Sequence, residues 1–222
     1  MRSTALVALA LSIPVALALA PRQGAPTGGV RPAAGSTPAV GSAAATSTIP
    51  ATAAGTYAVD DVHSNAHFRV HHLGAGRFWG RFELVDGTMT YVPEGAGSLE
   101  FDIKIPIAGV HTGNDNLNNH LKSPDFFNMK EFPEMTFKST KASPAGGSMW
   151  KVDGDLTLLG VTKPVTAMVE FTGASSARGK ELIGFEAAFT IKRSDFGMTY
   201  GVEQGSIGDE VMVVVGLEGI KS

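Results

Sequence analysis

Residues 183–191 read IGFEAAFTI. Ile183, Phe185, Ala187, Phe189 and Ile191 fall on every second position, and Gly184, Glu186, Ala188 and Thr190 separate them. A period of two places successive side chains on opposite faces of an extended chain, so the segment reads as a strand with one dry and one wetter face. The pattern recurs on both sides. Val211, Val213, Val215 and Leu217 form one stripe, and Val165, Ala167, Val169 and Phe171 another. Upstream, Leu99, Phe101, Ile103 and Ile105 alternate with Glu100, Asp102 and Lys104. Phe78, Gly80, Phe82 and Leu84 alternate with Trp79, Arg81 and Glu83, and Ala66, Phe68 and Val70 with His67, Arg69 and His71. Met135 with Phe137, and Val152 with Leu156 and Leu158, add two more. Turn signals separate the stripes at Asp86-Gly87, Pro93-Glu94-Gly95, Pro144 to Gly147 and Gly173 to Gly179. Strands joined by short turns imply an antiparallel meander. About eight long ones close most naturally into a barrel, because closure removes exposed edges. The expected fold is all-β, an extended antiparallel eight-stranded barrel.

One segment breaks the alternation. Residues 112–128 read TGNDNLNNHLKSPDFFN. Thr112 and Asp115 have capping-box spacing, Leu117 and Leu121 lie one helical turn apart, and Pro124 ends or restarts the turn. One or two short helices near an opening of the barrel are expected.

The first residues differ from this. Arg2 precedes an apolar run from Ala5 to Ala20, broken only by Ser12 and Pro14 and ending in Ala18-Leu19-Ala20. That is the layout of a secretory signal peptide over residues 1–20. Residues 21–55 consist largely of Ala, Pro, Gly, Ser and Thr, a composition that cannot bury enough surface to order itself, and read as a disordered linker. The barrel is expected over residues 56–222. The net charge of -3 gives no reason to expect nucleic acid, and the lack of Cys excludes disulfides, thiolate metal sites and Cys nucleophiles.

Catalytic patterns are scarce. There is no nucleophile elbow, phosphate loop or H-E-x-x-H, and the paired carboxylates Asp60-Asp61, Asp153-Asp155 and Asp209-Glu210 fall at turns or strand ends. His63, His67 and His71 would share a face of a strand, but at about 13 Å between neighbours they are too far apart to hold one metal ion. No metal and no cofactor are expected. An eight-stranded barrel is at the size where the interior is either filled or holds one ligand, and the pattern alone leaves both open.

Particular residues carry a resemblance. The run from His63 to His72, Gly80-Arg81-Phe82, Asp86-Gly87, and the run from His120 to Asn128 followed by Phe132-Pro133 and Phe137-Lys138-Ser139 resemble the YceI-like family. Gly154 to Leu158, Gly160 to Val165, and Arg193-Ser194-Asp195-Phe196-Gly197 follow in the same order. The resemblance spans about Tyr57 to Lys221. It implies a lipocalin-like barrel whose tunnel binds a polyisoprenoid in a periplasmic or secreted protein. Many members carry an Arg-Asp pair where Leu117 and Asn118 stand here. Ser64 and His120 therefore remain as polar candidates for a ligand head group.

The expected function is non-catalytic binding, sequestration or carriage of an isoprenoid lipid, of quinone or prenyl phosphate type, in the cell envelope. Phe68, Val70, Phe82, Leu84, Phe101, Phe137, Leu156, Phe185 and Phe189 are the expected lining. His120, Phe126 and Phe127 are expected at the mouth. The alternatives are an enzyme acting on such a lipid, with His120 or His63 as general base, and a structural or stress-response protein with a filled barrel. The isoprenoid lipid is the expected partner, and a homodimer is left open.

Overall fold

A chain with so many half-apolar strands needs a surface that is dry on one side and has no unpaired edge, and it closes the sheet on itself. The structure is a computed structural model that describes residues 49–94 and 98–222. The expected signal segment and residues 21–48 of the expected linker lie outside the described residues. The strands are β1 (Gly55–Val59), β2 (Asn65–His72), β3 (Gly76–Phe82), β4 (Asp86–Val92), β5 (Ser98–Pro106), β6 (Val110–His111), β7 (Glu134–Gly146), β8 (Met149–Leu158), β9 (Val161–Ala177), β10 (Lys180–Lys192) and β11 (Ile207–Lys221). Among the described residues one α-helix, α1 (Asp115–Leu121), lies between β6 and β7.

Eleven strands make eight staves, because three staves are broken once. β1 and β2 both pair with β11, while β4 pairs with β1 and β3 with β2. β5 pairs with β4, and β6 continues that stave against β3. β7 to β11 follow in order, each antiparallel to the last. The result is an up-and-down eight-stranded antiparallel barrel, closed by Tyr57 opposite Lys221 and Val59 opposite Gly219.

The breaks shift the alternation. Phe82 is buried and Glu83 exposed, but Leu84 takes a left-handed φ of 65° and is also exposed, and Val85 is fully buried. One left-handed residue moves the inward set from even to odd positions, so Met89 and Tyr91 continue it. This corrects two sequence readings. Leu84 does not line the interior, and Asp86-Gly87 opens β4 instead of forming a hairpin turn. Gly87 has φ 134°, and a Cβ there would run into the backbone of Asp102, so no other residue suits the restart of the stave.

The two ends of the barrel differ. At one end Tyr57, Met89, Trp150 and Ile183 are essentially inaccessible. Tyr57, Met89 and Ile183 converge over Gly219, where a Cβ would meet all three. The Trp150 indole N–H is buried with no hydrogen-bond partner, so this side chain serves the plug by its bulk. The last part of the expected linker closes this end from outside. Ile49 and Ala53 are buried, Tyr57 donates its hydroxyl to the Ala53 carbonyl at 2.9 Å, and Tyr91 donates to the Ile49 carbonyl at 3.1 Å. The opposite end carries α1, the turn between β2 and β3, and the long connection from β10 to β11.

The plug has no spare volume. Gly219→Val should force Met89 and Tyr57 apart and cost about 1–3 kcal/mol, read as a lower urea midpoint at unchanged slope.

Candidate functional site

Between the plug and the helical end lies a cavity of about 160 Å³. Its walls are the inward stripes of the staves. Phe68 and Val70 come from β2, Phe82 from β3, Phe101 from β5, Phe137 from β7, Leu156 from β8, and Phe185 and Phe189 from β10. Phe126 and Phe127 line it from the segment after α1. His67, Thr136 and Arg193 also border the space, but none presents a polar atom to it. Two glycines keep the wall thin. A Cβ at Gly80 would collide with the ring of Phe68, and one at Gly154 with the ring of Phe137. Each ring therefore lies against the sheet over the bare backbone of the neighbouring strand.

The helical segment roofs the cavity. Asn114 caps α1 by accepting from the Leu117 N–H at 3.0 Å. Thr112, the residue expected to cap, instead donates its hydroxyl to Asn118 Oδ1 at 2.8 Å. Asn118 also accepts from the Thr112 N–H, so it ties the helix to the end of β6. Leu117 packs on the core and Leu121 is buried against the cavity. Leu117 and Asn118 thus serve as a packing residue and a structural hydrogen-bond acceptor. Phe127 meets Phe82 edge-on at 5.1 Å between centroids, which joins roof to wall. Phe126 meets Tyr200 of the β10–β11 connection at 5.1 Å.

His120 and Ser64, the two polar candidates for a head group, both stand outside the cavity lining. His120 does not line the cavity. It sits edge-on to Phe126 and Tyr200, at 5.0 and 5.4 Å, with Nε2 3.0 Å from Asp125 Oδ2. It braces the outside of the roof. Ser64 is buried in the bend between β1 and β2, where its Oγ accepts from the Glu218 N–H at 3.0 Å and donates to the Glu218 carbonyl at 3.3 Å. It pins the broken stave to β11 and reaches no cavity. Sequence could not separate these roles, because a polar side chain serving the backbone looks the same as one serving a ligand.

The residue the site readings missed is Arg193. It borders the cavity and is 3% exposed, yet its guanidinium donates only to backbone carbonyls. Nε donates to Gly208 at 2.8 Å, Nη1 to Met198 at 3.1 Å, and Nη2 to Tyr200 at 2.8 Å and Ile207 at 3.0 Å. Burial pulls its pKa down and the charge of Asp209 opposes that pull. Asp209 in turn accepts from the Ser194 N–H and hydroxyl. The Arg-Ser-Asp-Phe-Gly run is therefore a clamp on the β10–β11 connection. Its sequence neighbours Lys192, Ser194 and Asp195 are polar as well, so nothing local sets it apart.

The histidine triplet is not assembled. His67 and His71 lie along β2, and His63 stands in the bend before it. His63 instead meets carboxylates, with Nδ1 2.9 Å from Asp60 Oδ2 and 3.8 Å from Glu218 Oε1. Among the described residues, these three are the group whose ligand atoms come within 4.8 Å of one another. The hydrogen bond to His63 holds the Asp60 carboxyl below its ordinary value, and the same bond raises the His63 imidazole.

The model of the YceI-like domain matches residues 57–219. Protein YceI of Salmonella arizonae is 33% identical over 174 residues, covering 77% of this chain and 90% of the relative. The crystal structure of the Campylobacter jejuni YceI protein superposes with a TM-score of 0.62 at 31% identity, covering 68% of this chain and 90% of that one. A polyisoprenoid binding domain from Saccharophagus degradans, implicated in plant cell wall breakdown, shares the fold with a TM-score of 0.58 at 17% identity, covering 75% of this chain and 98% of that domain.

Two outcomes follow from these contacts. Arg193→Met leaves four carbonyls without their donor and should lower stability by at least about 3 kcal/mol, with Arg193→Lys recovering little because an ammonium lacks the planar fork; chemical denaturation measures both. The Asp60–His63 attraction is present while both groups are charged. It fades as pH rises through the raised His63 pKa and as pH falls through the lowered Asp60 pKa. Asp60→Asn should therefore bring the His63 titration, followed by NMR, down toward that of a free imidazole.

Proposed function

The chain belongs to the YceI-like domain family, and from that premise we propose that its cavity binds the hydrocarbon chain of an isoprenoid lipid, of quinone or prenyl phosphate type. The protein carries or sequesters this lipid in the periplasm or outside the cell and leaves it chemically unchanged. The observation that carries the reading is the cavity itself, about 160 Å³ of space with a wholly apolar surface inside a closed barrel. In a packed core a void of that size forgoes about 4 kcal/mol of packing. A barrel that served only as scaffold would gain by filling it, as this barrel does at its plugged end.

Physical chemistry favours a long, branched, apolar ligand. Burying hydrocarbon is favourable by about 25 cal/mol per Å², and the cavity presents no fixed polar group for a polar ligand to satisfy. The lining is rich in aromatic rings, which offer broad contact surfaces with few rotamers to fix. The absence of a cavity-facing polar atom supports binding over conversion, because a general acid or base must reach the reacting atoms. His120 and His63, the two expected bases, both lie outside the lining. The name of the Saccharophagus degradans neighbour is consistent with this ligand class. The signal-like start of the chain supports export.

Protein purified from its own host should release an isoprenoid lipid on solvent extraction, identified by mass spectrometry, and the stripped protein should take up added prenol or quinone. A host-purified protein that yields no lipid and binds neither would overturn the reading. Phe189→Asp places a carboxylate on the cavity wall and should weaken uptake by at least about a hundredfold, since an unpaired charge in an apolar space costs several kcal/mol.

A further inference from the structure

Four staves pass from cavity to plug within one inward step. On β10 the cavity residues are Ile191, Phe189, Ala187 and Phe185, and the next inward residue is Ile183 of the plug. On β5 the step runs from Phe101 to Leu99, on β8 from Val152 to Trp150, and on β11 from Leu217 to Gly219. The cavity is therefore blind, and its floor is one layer of side chains. Phe101 and Phe185 belong to that layer, packed edge-on at 5.4 Å between ring centroids and 84° between planes. Phe185 is held from the side by Phe171 at 5.9 Å. Beneath it the plug leaves no room, since Met89, Tyr57 and Ile183 already fill the space over Gly219.

We propose that the Phe101–Phe185 pair is a ruler that sets the length of isoprenoid chain the barrel accepts. The proposal rests on the isoprenoid reading above and names the residues that would decide specificity within it. A chain entering from the helical end lengthens toward the floor, and each added unit buries more hydrocarbon until its tip meets the two rings. A further unit has to stay outside, in water or under the roof, where it adds little. The rings are suited to this because they brace each other edge-on and Phe171 packs against Phe185, in an interior where side chains are close-packed. Floor height is also adjustable one layer at a time. Ala187 lies two residues above Phe185 on the same strand, about 7 Å along it and about 5 Å along the axis of a tilted barrel. That is close to the length of one isoprene unit.

The test is a ladder of all-trans prenols, from two to eight isoprene units, titrated against the full chain stripped of lipid. For the unaltered protein, affinity should climb by at least about tenfold per unit and then level off at a threshold length. Phe101→Ala and Phe185→Ala should move that threshold up by one unit. Ala187→Phe should move it down by one unit. Phe185→Leu serves as a milder variant should the alanine variants fail to fold, and it should raise affinity selectively for the first prenol beyond the threshold. Thresholds that stay put in folded Ala187→Phe and Phe185→Leu, or an unaltered protein whose affinity climbs through all eight units, would overturn the ruler while leaving isoprenoid binding intact. Failure of the unaltered protein to bind a prenol of any length would instead overturn the binding reading, and the ruler with it.

Discussion

The barrel depends on its seam. β1 and β2 lie along one edge of β11, and without that pairing the sheet would end in two open edges, each a row of unmet backbone groups. The seam is also where the chain is least regular, because the first stave is broken between Val59 and Asn65. Ser64 repairs the break by hydrogen bonding to both backbone groups of Glu218, and the Asp60 N–H donates to the Glu218 carbonyl at 2.8 Å. A few buried polar contacts thus hold the ends of a long chain together so that the apolar stripes can face one interior.

Closure leaves that interior with two different halves. At the plugged end large side chains converge on a glycine, and the stretch around Ile49 and Ala53 covers them. Toward the roof, glycines stand opposite aromatic residues on adjacent strands, and the rings lie down along the wall. The same two residue types thus have opposite results. Gly219 admits bulk into the middle of the barrel, whereas Gly80 and Gly154 keep bulk out of it. The Arg193 clamp shapes the rim by holding the β10–β11 connection where Tyr200 can brace the roof.

Much of this was legible in the chain. Period-two stripes identify the staves because the pleat has the same period, and eight expected wall residues line the cavity for that reason, while Phe126 and Phe127 line it from the segment after α1. Leu84 failed because one left-handed residue shifts the phase of everything after it, and a Leu gives no local sign of a positive φ. His120, expected at the mouth, stands outside the lining because it faces Asp125 and Tyr200, and the partner Tyr200 is distant in the chain. Arg193 was passed over because its partners are carbonyl groups, which every residue has.

The sequence by itself determined an all-β barrel with one apolar face per strand and a helical insertion, since periodicity and turn chemistry act locally. Only the tertiary structure decided whether the barrel was full. Volume is a property of all eight staves at one level, so it depends on which side chains meet across the interior. No single strand carries that information. Where Trp150, Tyr57, Met89 and Ile183 lie, and where Phe101 packs on Phe185, is set by the register between strands.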